Sequence, residues 1–425
     1  MWVQYSSTES RILALFRFKR RSIAAFSISV SVGLSLVGYT ALLMIFANLT
    51  GGTEGSRFLT IPVRIFVIGT MVLAVLLGGR LNRHPAVFWF LIFSILYFMR
   101  IFIEWHEPSF RLYKSPLEFF LYFVSFTLMP LILISCMRLD RFIAEEIRVL
   151  LVRMGFVFAL LTAAFYGGYV GQASRISQTV GRDAEYISPL SLSYQSALVI
   201  GVLIISWISS RTSFVRSAGT LISIFLLTVP FFLGASRGSV VALGLVFLFF
   251  LSFWPGVKRR ALVTFGSLFL LGLAFALQGY LGDGIFQRVA SIGNDIETGS
   301  SSVIRLIMWR EGFEQFLISP VFGNSLQHEG FQFHPHNIFI EVLISTGILG
   351  FVPFSMFLFF VARSSVSVIR ESPESSWVVV VFLVGFSSNM FSGSISSAVM
   401  FMTGAGLVLA TARSCSVISP GDRAP

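Results

Sequence analysis

His334-Pro-His-Asn-Ile-Phe-Ile-Glu-Val-Leu-Ile-Ser-Thr-Gly-Ile-Leu-Gly350 is where the longest polar stretch of the chain meets a long apolar run. Downstream of Asn337 the apolar character continues to about residue 362, enough for a helix at ~1.5 Å per residue to cross a hydrocarbon layer of ~30 Å. Asn337 has the side chain to cap that helix, because its oxygen can accept the unpaired backbone N–H groups of the first turn. The imidazoles of His334 and His336 titrate near neutral pH and sit at the boundary between polar and apolar sequence. A base held at a membrane surface points to chemistry there.

The rest of the chain agrees with a membrane reading. Of 425 residues, 55% are hydrophobic and only 12% charged, and the mean hydropathy is +0.83. A soluble globule is excluded. The 47 phenylalanines suit lipid-facing and interhelical packing. Apolar runs predict spans near 23–48, 58–78, 85–104, 116–137, 149–170 and 189–208, then 214–233, 237–254, 261–280, 337–362, 376–391 and 395–412. The expectation is an all-α integral membrane protein of about twelve transmembrane helices, with a long, partly helical outer loop between helices 9 and 10. Residues 1–425 are read as one polytopic domain, and 281–336 as the loop within it. The run from Ile23 to Leu49 is long for a signal-peptide core and is read as a retained first span.

The net charge of +11 does not point to nucleic acid, because the basic residues are spread between apolar runs instead of forming a basic domain. With a cytoplasmic N-terminus, Arg17 to Arg21, Arg80 and Arg83, Arg138 to Arg148, Arg211 and Arg216, Lys258 to Arg260, Arg363 and Arg370, and Arg413 all fall inside. Both termini are therefore expected in the cytoplasm. Cys136 and Cys415, far apart and both near that side, predict no disulfide.

This orientation exposes three segments on the far face: 171–188, the turn near 234–237, and 281–336. Within the last, Val303 to Leu317 follows three serines, carries Trp309, Phe313 and Phe316, and ends at Ser319-Pro320. That pattern predicts a helix lying at the outer interface.

The cytoplasmic charge bias does not explain Arg237, which stands outward in Gly234-Ala235-Ser236-Arg237-Gly238-Ser239. A lone interfacial arginine commonly snorkels, but here small neighbours and a helix start offer room for an anion. Arg288 and Arg305 fall in the long loop. One helical turn separates Arg305 from Trp309, so guanidinium and indole share a face. Arg182 is the weakest of the outward arginines, since Asp183 and Glu185 can pair with it.

His328, His334 and His336 lack the companions of a zinc site: no cysteine is near, and Glu329 and Glu341 have no ligand spacing. A general base is the better role, open to either His334 or His336. The chain has no phosphate-binding glycine loop with lysine, no nucleophile elbow and no Asp-x-Asp pair on an outer loop, so nucleotide-driven and metal-dependent chemistry are not expected. Outward arginines with a histidine suit an anionic donor attacked by a hydroxyl: the arginines neutralise a diphosphate leaving group and the histidine takes the acceptor's proton.

These residues resemble the O-antigen ligase and polymerase superfamily of bacterial membrane glycosyltransferases. Ser236-Arg237-Gly238 is similar to its motif at the start of an apolar helix, and Arg305 through Trp309 to Ser319-Pro320 and Gly323 to its loop segment. His336-Asn337, with Gly347 and Gly350 beyond, matches the spacing of the histidine motif of ligases. The likeness covers about Pro230 to Gly350; the N-terminal half is similar only in topology. It implies an inverting, metal-independent transfer of glycan from an undecaprenyl diphosphate carrier at the periplasmic face, with no cofactor. His336 is then the base. Arg237, Arg288 and Arg305 bind the diphosphate, with Arg182 a fourth, and His334, Asn337 and Trp309 give support. His334 departs from the pattern and leaves open which imidazole acts.

The leading expectation is a ligase that moves polysaccharide to a lipid A core sugar. The nearest alternative is a polymerase, whose acceptor is a growing glycan on the same carrier. A protein O-oligosaccharyltransferase would be expected to carry an additional soluble module, which is not visible. A transporter or flippase would draw on Arg64 and Arg100, but no internal repeat accompanies them. Membrane lipid is an expected partner and nucleic acid is not.

Overall fold

The computed structural model describes residues 7–50, 56–107, 112–169, 187–209, 214–256 and 301–415, with positions 261 and 264. These residues form a helical bundle. Helices α1 (Ser7–Gly33) and α2 (Tyr39–Thr50) join through a π-helical stretch, Leu34–Gly38. Next come α3 (Ser56–Gly78) and α4 (Pro85–His106). A second π-helical stretch, Phe123–Leu128, links α5 (Pro116–Tyr122) to α6 (Met129–Ser135). Then follow α7 (Arg141–Tyr166), α8 (Pro189–Ser209), α9 (Phe214–Gly234) and α10 (Arg237–Phe253). The C-terminal part holds α11 (Ser301–Ile318), α12 (Ile338–Glu371), α13 (Trp377–Phe391) and α14 (Val399–Cys415). Among the described residues the sole extended pairing is an isolated bridge between His328 and Phe333.

Among the described residues, eight helices are long and apolar enough to cross a membrane, and three shorter apolar ones, Ala218–Gly234, Arg237–Phe253 and Val399–Cys415, accompany them. They stand where hydropathy placed spans; the expected span 261–280 lies outside the described residues, as does the loop before residue 301. Two boundaries differ from expectation. Helix α7 starts well before residue 149, because Asp140 accepts hydrogen bonds from the N–H groups of Phe142 and Ile143 at 3.0 and 3.1 Å. Glu145, Glu146 and Arg148 hide this start from a hydropathy window, although Ile143, Ala144 and Ile147 are buried. Helix α12 runs past 362 to Glu371, with Ser364, Ser365, Val368 and Ile369 buried against the bundle.

The basic segments between the first helices converge at one end. Arg21 pairs with Asp140 at 2.5 Å, the Arg80 N–H donates to the Cys136 carbonyl at 2.8 Å, and Arg413 donates to the Arg80 carbonyl at 2.8 Å. Between the two ends lies an aromatic core. Phe90 and Phe357 have ring centroids 4.8 Å apart and Tyr97 and Phe123 4.6 Å, with Phe93, Phe354 and Phe401 also buried. Burying such rings contributes roughly 1.5–3 kcal/mol each in a soluble core; facing lipid, the gain comes mainly from close packing. This core locks α12 against α4 and fixes the position of the α12 N-terminus.

Helix α12 is broken at Gly347, whose φ of +59° and ψ of −160° are open to glycine and strained for other residues. The backbone groups freed there pair with the segment after α11. The N–H groups of Asn324 and Ser325 donate to the Ile344 carbonyl at 2.9 and 3.2 Å, and the Ile348 N–H donates to the Pro320 carbonyl at 2.9 Å. A side chain at 347 would run into the Val321 carbonyl, and one at Gly323 into that of Ile344. Arg100, buried in α4, closes the junction by donating to the carbonyls of Ser345, Phe322 and Gly323 at 3.0, 2.9 and 2.6 Å. The glycine spacing seen in the sequence is thus a docking surface between loop and broken helix.

Candidate functional site

The polar end of α12 is assembled from four segments. Helix α11 forms over the expected residues and presents Arg305 and Trp309 one turn apart. Trp309 Nε1 donates to the Pro335 carbonyl at 2.9 Å, which ties the His-Pro-His turn to α11. Gln315 braces the same loop: Nε2 donates to Asn324 Oδ1 at 3.0 Å and to the Gln327 carbonyl at 3.2 Å, and Oε1 accepts from the Glu329 N–H at 3.0 Å. Asn337 caps α12, accepting from the N–H groups of Phe339 and Ile340 at 3.0 and 3.4 Å.

The two imidazoles lie edge to face with centroids 4.4 Å apart, and the Phe333 ring packs on both, at 4.1 Å from His334 and 5.5 Å from His336. His336 holds a left-handed backbone with φ of +54°. Such strain costs of order 1–3 kcal/mol and persists where surrounding contacts enforce it. Both rings reach one oxygen: the Ser392 carbonyl is 3.2 Å from His336 Nδ1 and 3.4 Å from His334 Nε2. A carbonyl only accepts, so each of these nitrogens carries the proton. His336 Nε2 is left with its lone pair, as a proton acceptor.

Glu341, one turn into α12 and fully buried, holds the segment that supplies this carbonyl. Its carboxylate accepts from Ser394 Oγ at 2.5 Å and from the Ile395 N–H at 2.9 Å. Thr127, in the second π-helical stretch, adds a hydrogen bond to the Ile395 carbonyl at 2.6 Å.

The surroundings are cationic. Burial first, then the neighbouring His336, Lys114 and Arg305, push His334 down to about 3, although the Ser392 carbonyl acts against them. His336 is lowered by burial and by Arg305, with a smaller displacement. Arg305 is itself lowered by burial and by the field of Arg237, with Tyr194 acting the other way. Arg237 thus acts on Arg305, remote from it in sequence, and Arg305 acts on both imidazoles. Converging positive charge with neutral bases is a site built for an anion.

Arg237 is aimed by a tight turn in which Ala235 has φ of +41° and the Ser236 N–H donates to Ser193 Oγ at 3.2 Å. Gly238 lies flat against the Tyr194 hydroxyl, where a Cβ would collide. Of the residues singled out in the sequence, the structure gathers His334, His336, Asn337, Trp309, Arg305 and Arg237. Arg182 and Arg288 lie outside the described residues. His328 turns away, with Nε2 3.8 Å from Glu311 and its ring against Phe331. Among the described residues no group of three or more His, Cys, Asp or Glu could hold a metal ion.

Sequence reasoning missed Lys114, Tyr194 and the Ser392 carbonyl, and saw Glu341 only as a carboxylate without ligand spacing. Lys114 carried a usable signal: like Arg237, it stands between spans on the side opposite the basic segments. A backbone carbonyl and a buried tyrosine carry none. Residues 222–355 match the family model described as O-Antigen ligase. That stretch contains Arg237, Arg305, both imidazoles and the Gly347 break. No curated protein matches the chain.

Proposed function

We propose, from the match of residues 222–355 to the O-antigen ligase family model, that this chain transfers polysaccharide from undecaprenyl diphosphate to a hydroxyl of a lipid A core sugar at the periplasmic face of the inner membrane. The observation that carries this reading is His336, whose Nδ1 lies 3.2 Å from the Ser392 carbonyl so that Nε2 is the proton acceptor, within the field of Arg305, on which Arg237 acts in turn. Arginine forks bind the two phosphates of the donor, with Arg288 and Arg182 as further contacts. His336 Nε2 takes the acceptor's hydroxyl proton as the oxygen attacks the anomeric carbon from the face opposite the diphosphate. The anomeric C–O bond then breaks, and the diphosphate leaves with the electron pair, neutralised by the arginines. Attack from the opposite face inverts the anomeric centre. The guanidinium groups take the part a divalent ion plays elsewhere, so the reaction proceeds without metal.

His334 is the weaker base of the two, because proton transfer is most efficient when the pKa lies near the working pH. It serves with Phe333 and Trp309 to hold His336 in place. The Asn337–Gly350 spacing favours the ligase over a polymerase of the same superfamily, while the arginines and the histidine suit both. The deciding experiment incubates the purified protein with lipid-linked glycan and lipid A core in EDTA. Product on the lipid A core is expected. Longer carrier-linked chains would assign polymerase instead, and strict dependence on an added divalent ion would overturn the metal-free mechanism.

A further inference from the structure

Beside the imidazoles lies a cavity of about 260 Å³ that the chemistry above does not use. It opens between the first π-helical stretch, the start of α8, the end of α13 and the start of α14. Ser35, Tyr194, Gln195, Ser388, Asn389 and Ser392 are among its lining residues, none of them charged. Ser35 Oγ, Gln195 Oε1 and Asn389 Oδ1 are among the buried polar atoms with no hydrogen-bond partner. The amides are oriented by their other ends, since Gln195 Nε2 bonds Thr40 Oγ1 at 2.7 Å and Asn389 Nδ2 donates to the Gly385 carbonyl at 3.0 Å. Ser35 and Asn389 are only 6% and 4% exposed. An unmet polar atom in such a place is costly, so it implies a polar occupant.

Ser35 reaches the cavity from the π-helical stretch Leu34–Gly38, and such interruptions of α-helices occur frequently at functional sites. Ser392 joins the cavity to the catalytic groups, because its carbonyl is the one that both imidazoles contact. The volume is below the ~300–1,000 Å³ of sites for drug-sized ligands, which suits one ring and excludes an oligosaccharide. A lining of neutral donors and acceptors with no charge suits hydroxyl groups and disfavours phosphate.

We infer that this cavity is a subsite for a single uncharged sugar ring next to the reacting centre, held by Ser35, Gln195 and Asn389. The inference rests on the transferase reading and adds where a sugar sits. The ring belongs to one of two sources, the carrier-proximal sugar of the donor or the terminal sugar of the acceptor.

Binding measurements on the full-length protein in nanodiscs separate them without relying on turnover. The probes are bare undecaprenyl diphosphate, undecaprenyl diphosphate carrying the glycan, and the oligosaccharide of the lipid A core. Ser35→Ala removes a hydroxyl that makes no internal hydrogen bond, so folding is spared, and Gln195→Met provides a second test at similar size. Each is expected to weaken one glycan probe about three- to tenfold, the worth of one or two hydrogen bonds to neutral groups, and to leave bare carrier binding unchanged. Weakened glycosylated carrier assigns the donor's sugar; weakened core oligosaccharide assigns the acceptor's. Unchanged affinity for both glycan probes, absence of glycan binding by the unaltered protein, or an equal loss for the bare carrier overturns the subsite. Failure of the transferase reading would show separately, as glycan binding without any transferred product.

Discussion

Replacing His334 with Asn should make the protein more resistant to acid. The unfolded imidazole takes a proton below its ordinary value of 6.5, whereas the folded one, buried and facing His336, Lys114 and Arg305, does so only near 3. Between those values the unfolded chain binds more protons, so the neutral ring's contribution is complete above pH 6.5 and is lost as the pH falls. From pH 6.5 to 4.5 the loss follows about 1.36 kcal/mol per pH unit, or roughly 2–3 kcal/mol. Asparagine fills similar space and can still donate to the Ser392 carbonyl, but it does not titrate. Denaturant unfolding in detergent at pH 7.5 and 4.5, followed for both proteins, isolates this difference, because acid effects at other groups are shared. The unaltered protein should lose about 2–3 kcal/mol more than the variant. Equal losses would refute the claim that His334 is kept neutral by its setting, and with it the reason for assigning the base to His336.

Three further outcomes follow. His336→Asn keeps a residue tolerant of positive φ and so should fold with near-normal stability, yet lose about 10²–10⁴-fold in transfer rate, the usual worth of a general base; residual turnover near normal would shift the role elsewhere. Arg305→Lys keeps the charge but loses the two-pronged fork, and should raise the donor KM about tenfold; an unchanged donor KM would argue against diphosphate contact. Gly347→Ala forces a side chain into a left-handed backbone and against the Val321 carbonyl. It should cost at least about 2 kcal/mol, read as a lowered Tm, and an unaltered Tm would show that the loop does not depend on the break.

The sequence revealed most of the fold because apolar length and charge bias are written residue by residue. Asn337 could be read as a cap, and the helix at Ser301–Ile318 was visible from its serines, aromatics and closing Ser-Pro. Where a helix began in charged residues, as α7 does at Arg141, hydropathy hid the start and only the Asp140 cap marked it. Within the site, the side chains with chemistry were legible and their supports were not. Arg100 looked like a charge lining a transport path, but its hydrogen bonds to three carbonyls make it a clamp on the broken helix. The Ser392 carbonyl leaves no trace in sequence, since every residue has one. Glu341 was legible only as a carboxylate without ligand spacing, because its partners lie more than fifty residues away.

On the proposed transferase reading, the charge arrangement gives a histidine lowered in the free protein a way to act as base. In the absence of donor, burial first and then Arg305 lower the His336 pKa, with the Ser392 carbonyl acting the other way. In the proposed reaction, a diphosphate bound at Arg305 offsets that arginine's share of the lowering, so donor binding should raise the basicity of the imidazole. The acid limb of kcat/KM should therefore lie below 6.5, and that of kcat at a higher pH once donor is bound. As the acceptor proton arrives, the imidazolium gains the Ser392 carbonyl as a partner on Nδ1, while the departing diphosphate places negative charge nearby. In the proposed mechanism Arg305 therefore has two parts, setting some of the strength of the base and, with Arg237, stabilising the leaving group. The protein needs a rigid carbonyl behind the imidazole for this to work, and the buried Glu341 supplies it by holding Ser394 and Ile395.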